Sequence, residues 1–387
     1  MSDSGTRWIV PEASRRAKSA IAVALSLIIL VGGFGFVGYK GYAFYMDWRQ
    51  QDDYIGDGDV PVEVVVNWGD GWARVGDALV ALDVIKDPIL FEREALRIAD
   101  GPNVGTWSLF THLPAKTAAE MLNDEDNRVI WRLTIREGLR LTDMIPLFIE
   151  ELGISEEEMD EVIAGVLEDP TIIGLSPWAA KMGKNPSEMP IPDLNKLDGF
   201  LFPDTYLLSP PIDTDALSVL TILADWFNDI TKALDFEAKA TALGLTPQQA
   251  VVVASIIEME VFSEEYRPQV ARVVLNRLKE GMPLQLDSTV NYGLNRSGHA
   301  NLEAGNQDTD TPYNTYMHSG LPPTPIGNPG RAALQAAVNP VDGNWLYFVT
   351  INLVTGETKF SATWEEHLSW VSVYQQWCRD NPEECPE

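Results

Sequence analysis

Ala20 to Tyr39 reads AIAVALSLIILVGGFGFVGY, an apolar run without a single charge. At about 1.5 Å per helical residue, about twenty such residues cross the ~30 Å hydrocarbon core of a bilayer. The run therefore predicts one membrane-spanning helix over residues 20–40. A cleavable signal peptide is the alternative; the length of the run, and Lys40-Gly41-Tyr42 where a small-x-small site would be needed, speak against it. Arg7, Arg15, Arg16 and Lys18 precede the run, and Asp47, Asp52, Asp53, Asp57 and Asp59 follow it. The positive-inside rule then leaves residues 1–19 in the cytoplasm and nearly the whole chain on the outer side of the cell membrane. Tyr42, Tyr45 and Trp48 suit the outer headgroup belt, and the Gly/Asp-rich stretch up to Asp59 makes residues 41–60 read as a stalk.

The remaining length matters next. With 387 residues, 45% of them apolar, the chain can build two or three domains with proper cores. Its 57 acidic side chains against 28 Lys+Arg give a net charge of −29, which repels phosphate backbones and excludes nucleic acid as a partner. Two cysteines, Cys378 and Cys385, and four histidines supply neither a zinc ribbon nor a disulfide scaffold, so no metal and no cofactor is expected. In an oxidising compartment the two cysteines can pair with each other, or remain two inert thiols of the tail; both readings stand.

Periodicity gives an α+β chain. Val62 to Val66 is β-rich, a turn follows at Asn67 to Gly71, and Val75, Ala78, Leu79 and Leu82 recur at helical spacing. The same order returns at Trp131 to Ile135, Arg136-Glu137-Gly138, and Leu141, Ile145, Phe148, Ile149 and Leu152. A shift of 69 residues lays Gly69 on Gly138 and Ile85 on Ile154. Two related αβ modules over residues 61–128 and 129–210 are expected, with two unrelated units as the alternative. A mixed α/β domain over 211–375 and a tail at 376–387 complete the division.

The chemistry points to one helix. Thr246-Pro247-Gln248-Gln249 is a helix start with a reciprocal cap, and Ala250 to Ile257 (AVVVASII) is apolar around its circumference, so the helix should lie buried. Glu258 stands at its far end. Apolar surroundings and the negative end of the helix dipole both favour its protonated form, which suits a general acid. The competing reading is a structural pair with an arginine of the next helix, Arg272 or Arg277. That helix, about 268–280, ends at Gly281, and Asp287 beyond it reads as an N-cap. Thr311 to Gly330, rich in Pro, Gly, Asn and Tyr, suits the wall of a sugar groove or a loop packed on itself. Trp345 to Ile351 and Lys359 to Ser361 read as paired strands turning at Thr355-Gly356. HExxH, GxSxG, Walker A and Ser-x-x-Lys motifs are missing, which removes zincins, serine hydrolases, nucleotide hydrolysis and penicillin-type acylation.

ASIIEME (254–260), NRLKEGMPLQLDSTVNYG (276–293), PYNTYMHSGLPPTPIGNPGRAAL (312–334), NPVDGNWLYFV (339–349), FSATWEEH (360–367) and DGFLFPDTY (198–206) together resemble the YceG-like family of endolytic murein transglycosylases, over about residues 60 to 375. The resemblance implies a single-pass anchor, a LysM-like module at 61–128 and a catalytic domain. It implies a lyase that cuts the β-1,4 bond between N-acetylmuramic acid and N-acetylglucosamine in nascent strands, leaving 1,6-anhydromuramyl ends. Glu258 falls on the family's catalytic glutamate, and Gln285, Asp287, Tyr292, Asn314 and Tyr316 fall on motif positions expected to line the groove. Glycan strands, the cell membrane and wall-synthesis enzymes are the implied partners. Met259 departs from the family's usual lysine and Thr324 from its usual glycine. Two other functions compete: a catalytically silent glycan-binding scaffold, and a hydrolase in which Glu260 or Asp287 activates water.

Overall fold

A computed structural model describes residues 31–49, 52–181, 193–261, 263–296 and 306–385. Met1–Val129 and Ile130–Glu387 are two compact units.

The first unit opens with helix α1 (31–49). Residues 20–30 of the expected span lie outside the described residues, and among the described ones no single helix is long and apolar enough to cross a membrane. Phe34, Phe36 and Val37 on α1 are exposed, whereas Met46 is buried in the unit's core and Arg49 is ion-paired with Asp87. Within 41–60, expected as a stalk, several described residues are tied to the module. The Asp53 carboxylate accepts the Ala115 amide at 2.9 Å, and the Asp59 amide donates to the Thr111 carbonyl at 2.9 Å. The Asp53 side chain, which a linker would leave in water, here satisfies a backbone amide of the module.

Strands β1 (Pro61–Val66) and β2 (Gly105–Phe110) are antiparallel with Val64 opposite Trp107, and β3 (Arg128–Val129) adds on the far side of β2. Helices α2 (Trp72–Ala81) and α3 (Pro88–Ala95) connect the first two strands, and α4 (Ala115–Met121) follows them. Asp87 caps α3 through the Ile89 and Leu90 amides, with Pro88 at the first helical position where its missing N–H costs nothing. Leu79, Phe91 and Trp107 fill the core, and the Trp72 indole donates to the Ala99 carbonyl at 2.9 Å.

The second unit begins with the same order of elements: β4 (Trp131–Thr134), α5 (Leu141–Leu152), α6 (Glu156–Glu168) and β5 (Thr205–Leu208), the strands again antiparallel. Gly69 and Gly138 both turn at positive φ, 85° and 80°, and Ile85 and Ile154 are both buried. Segments 129–210 and 211–375, expected as two modules, share one core in which Leu133, Phe148 and Phe200 join Val251, Ile256 and Leu334. A two-stranded sheet is too small to bury two helices alone, so it completes its core on the helices that follow.

Those helices are α7 (Ala216–Ala233), α8 (Phe236–Ala242), α9 (Pro247–Glu260), α10 (Arg267–Glu280), α11 (Asp287–Gly293) and α12 (Arg331–Val338). At the start of α9 the Thr246 hydroxyl accepts the Gln249 amide at 3.2 Å and the Gln249 side chain accepts the Thr246 amide at 2.9 Å. Ala250 to Ile257 are buried on every side, among α8, α10, α11 and α12. Each buried Val or Ile there contributes roughly 1.5–3 kcal/mol, so α9 is held by packing rather than by propensity. Gly281 stops α10 at φ 70°. The chain finishes with the hairpin β6 (Tyr347–Asn352) and β7 (Glu357–Ser361), then α13 (Trp364–Asp380), and Cys378 is disulfide-bonded to Cys385.

Candidate active site

Glu258 lies in the last turn of α9, where the helix leaves the core, and its side chain is only 7% exposed. Its Oε2 accepts the Gly330 amide at 2.9 Å, just ahead of α12, and its Oε1 accepts from Arg267 Nη2 at 2.7 Å. The arginine partner is thus the first residue of α10, not Arg272 or Arg277. Arg272 donates to the Val341 carbonyl, and Arg277 to the Leu346 and Leu284 carbonyls. Burial pushes the Glu258 carboxyl up to about 7; Arg267 pulls it down, Glu137 raises it, and the Gly330 amide lowers it. Burial is the largest of these effects, so the net shift is upward.

Three further segments shape the site. Glu137 sits in the turn between β4 and α5, 47% exposed, with Oε2 3.6 Å from Arg267 Nη2. Asn328, fully buried, clasps that turn to the turn at Gly199 to Leu201. Its side-chain oxygen accepts the Gly199 and Leu201 amides at 2.8 and 3.0 Å, and its side-chain amide donates to the Leu139 carbonyl at 2.9 Å. Its backbone continues the clasp by accepting from Gly138 at 2.8 Å. Gly327 meets Gly138 so closely that a Cβ there would collide with the Gly138 carbonyl. Below this, Asp198 accepts the Leu141 amide at 2.7 Å and the Tyr292 hydroxyl at 2.6 Å, with the Arg140 guanidinium 4.4 Å from the Tyr292 ring centre.

The expected groove residues divide into two sets. Gln285 and Asp287 are exposed and Tyr316 is half-buried; the Tyr316 hydroxyl donates to Asp287 at 2.7 Å. Asp287 is the first residue of α11, one past the N-cap position that Leu286 holds, and its carboxylate accepts from Tyr316. Tyr292 and Asn314 are interior: Tyr292 is bonded to Asp198, and Asn314 donates to the Gln307 and Thr309 carbonyls. Most of the 311–330 loop is likewise internal, with the Ile326 amide on the Ser255 hydroxyl at 3.0 Å and Tyr313 on Thr324 at 2.7 Å. Its buried part packs against α9, and its Ser319 to Pro323 stretch lines a cavity beside the start of that helix. Glu260 turns away from Glu258 and accepts from Ser288 at 2.6 Å; burial pushes it up to about 7. Among the described residues no group of three His, Cys, Asp or Glu is placed to hold a metal ion.

Glu137, Arg267, Asn328 and Asp198 are the site residues that sequence reasoning left without a role. Two signals were present. Glu137-Gly138 occupies the turn of the repeated strand–turn–helix unit, and Arg267 opens the helix directly after the Glu258 helix.

The chain is thus an α+β protein in which a buried central helix ends in a glutamate held by Arg267 and the Gly330 amide. The YceG-like family matches residues 64–372, and the chain belongs to it. An endolytic murein transglycosylase of Bacillus subtilis (strain 168) is 28% identical over 323 residues, 80% of this chain and 84% of its own. One of Streptococcus pneumoniae serotype 2 (strain D39 / NCTC 7466) is 24% identical over 361 residues, 89% of this chain and 64% of its own. A crystal structure of a yceG-like protein from Listeria monocytogenes shares the fold at a TM-score of 0.52 and 23% identity, covering 80% of this chain and 98% of that one.

Proposed function

We propose that the protein is an endolytic murein transglycosylase, a lyase, in which Glu258 is general acid and then general base. The observation that carries this reading is a carboxyl buried at the end of α9 and pushed up to about 7 despite an arginine at 2.7 Å. Protonated Glu258 gives its proton to the oxygen between N-acetylmuramic acid and N-acetylglucosamine as the bond from that oxygen to C1 breaks. The C6 hydroxyl oxygen then bonds to C1, and its proton returns to the Glu258 carboxylate. No water is consumed, so no second carboxylate need activate one. The apolar run at 20–40 would anchor the chain with its N-terminus in the cytoplasm, the 61–128 module would bind glycan in LysM-like fashion, and wall-synthesis enzymes are the expected partners.

A second reading, a silent glycan-binding scaffold, is favoured by one observation, the Arg267–Glu258 ion pair itself. Full-length protein in detergent incubated with uncrosslinked peptidoglycan separates the two: anhydro ends support the lyase, and no new ends support the scaffold. Glu258→Gln should lower cleavage by about 10²- to 10⁴-fold with the fold retained. Because the acid must start protonated, wild-type cleavage should fall as pH rises through about 7. A rate that stays flat into the alkaline range contradicts the role given to Glu258.

A further inference from the structure

Glu258 and Glu137 reach the same guanidinium from opposite environments. Arg267 Nη2 stands 2.7 Å from Glu258 Oε1 and 3.6 Å from Glu137 Oε2, and the arginine is 5% exposed. Its Nε and Nη1 are buried and find no hydrogen-bond partner among the described residues, so Nη2 serves both carboxyls. Gly330 completes the arrangement. A Cβ at that position would collide with the Glu137 carboxylate, while the Gly330 amide holds Glu258. The charged groups facing Glu258 are Arg267 from α10 and Glu137 from the β4–α5 turn. On α9 itself Glu260 turns to Ser288, the loop before α12 offers only the uncharged Gly330 amide, and Arg331 at the start of α12 is exposed.

We propose that Glu137 is a positioning residue for the reaction, a second carboxylate on the solvent side of Glu258 that competes for Arg267 and so keeps the catalytic carboxyl in its proton-bearing form. The inference rests on the reading of Glu258 as the acid. One positive charge cannot neutralise two carboxylates, so a trio holding one proton is neutral and a trio holding none is not. The proton settles on the buried member, because the interior penalises charge more than water does. With Glu137 uncharged, Arg267 would belong to Glu258 alone, and the acid would ionise at lower pH.

The test uses the full chain in detergent and two readouts, the pH profile of glycan cleavage and the ¹³C titration of the Glu258 carboxyl, its signal assigned with Glu258→Gln. In Glu137→Gln the Glu258 midpoint and the alkaline limb of cleavage should both move to lower pH. Above the limb, cleavage should drop about tenfold for each pH unit of that movement. Gly330→Ala, which displaces the Glu137 carboxylate without removing it, should move both in the same direction, and Glu137→Asp should restore part of the wild-type profile. An unmoved Glu258 midpoint in Glu137→Gln, or a loss equal at every pH, overturns the proposal. Should wild type fail to cleave, the reading of Glu258 as acid fails by itself, and the titration midpoints still decide whether Glu137 governs the Glu258 proton.

Discussion

Asp198 and Glu258 are buried carboxyls of the same unit with different partners. Asp198 spends both oxygens on the Leu141 amide and the Tyr292 hydroxyl, so its proton has no route to a substrate. Burial nevertheless pushes it up to about 7, against the pull of Tyr292, the Leu141 amide and Arg140. A carboxyl whose folded value exceeds its unfolded one stabilises most below the unfolded value, near 4, and that contribution is lost as pH rises through about 7. Wild-type stability to denaturant should therefore fall between about pH 4 and 8. Asp198→Asn, which can still accept the Leu141 amide and donate to Tyr292, should show a shallower fall. A slope identical to wild type in urea titrations across that range would mean that Asp198 ionises in the fold without cost. The burial of Glu258 was legible in sequence because it is local: a capped start, an apolar helix and a carboxyl at its end. Its partners Glu137 and Gly330 were not, because they come from segments far along the chain that meet only in the fold.

Among elements, α9 and the loop before α12 divide the work. The helix supplies burial, which sequence periodicity reveals; the loop supplies register, which it does not. Asn328 looks like an ordinary turn asparagine in PIGNPG. In the fold its side chain joins the segments at Leu139, Gly199 and Leu201, and through them it places Glu137 and Gly330 over Glu258. Tyr292 and Asn314 show the converse. Their motif positions suggested a groove, but a tyrosine and an asparagine serve equally well to satisfy buried polar groups, and local pattern does not separate the two uses. Asn328→Ala leaves the Gly199 and Leu201 amides without their acceptor, and unpaired buried groups cost about 1–3 kcal/mol each. The second unit should lose at least about 2 kcal/mol in chemical denaturation, and Asn328→Asp, which keeps the acceptor oxygen, should lose less. Equal losses in both variants would show that the clasp acts through the Leu139 carbonyl instead.

For the molecule as a whole, the two segments that a 69-residue shift lays on each other had two outcomes. Both fold as strand–helix–helix–strand, but the first closes its own core while the second merges with the helices around α9. Sequence could not separate these fates, since they depend on what the chain places beside each copy. The first copy buries Trp107, Phe91 and Leu79 within itself and adds Met46 from α1. Two closed cores imply two cooperative transitions. Trp107, 0% exposed and the largest fully buried side chain among the described residues, is the place to test this. Truncating a buried Trp to Ala costs about 3–5 kcal/mol, a large part of what a small module has. In calorimetry of the full-length protein, Trp107→Ala should lower one transition strongly and leave the other in place, whereas Asn328→Ala should do the reverse. If both variants shift a single shared transition, the two cores unfold as one, and the first copy depends on the second for its stability.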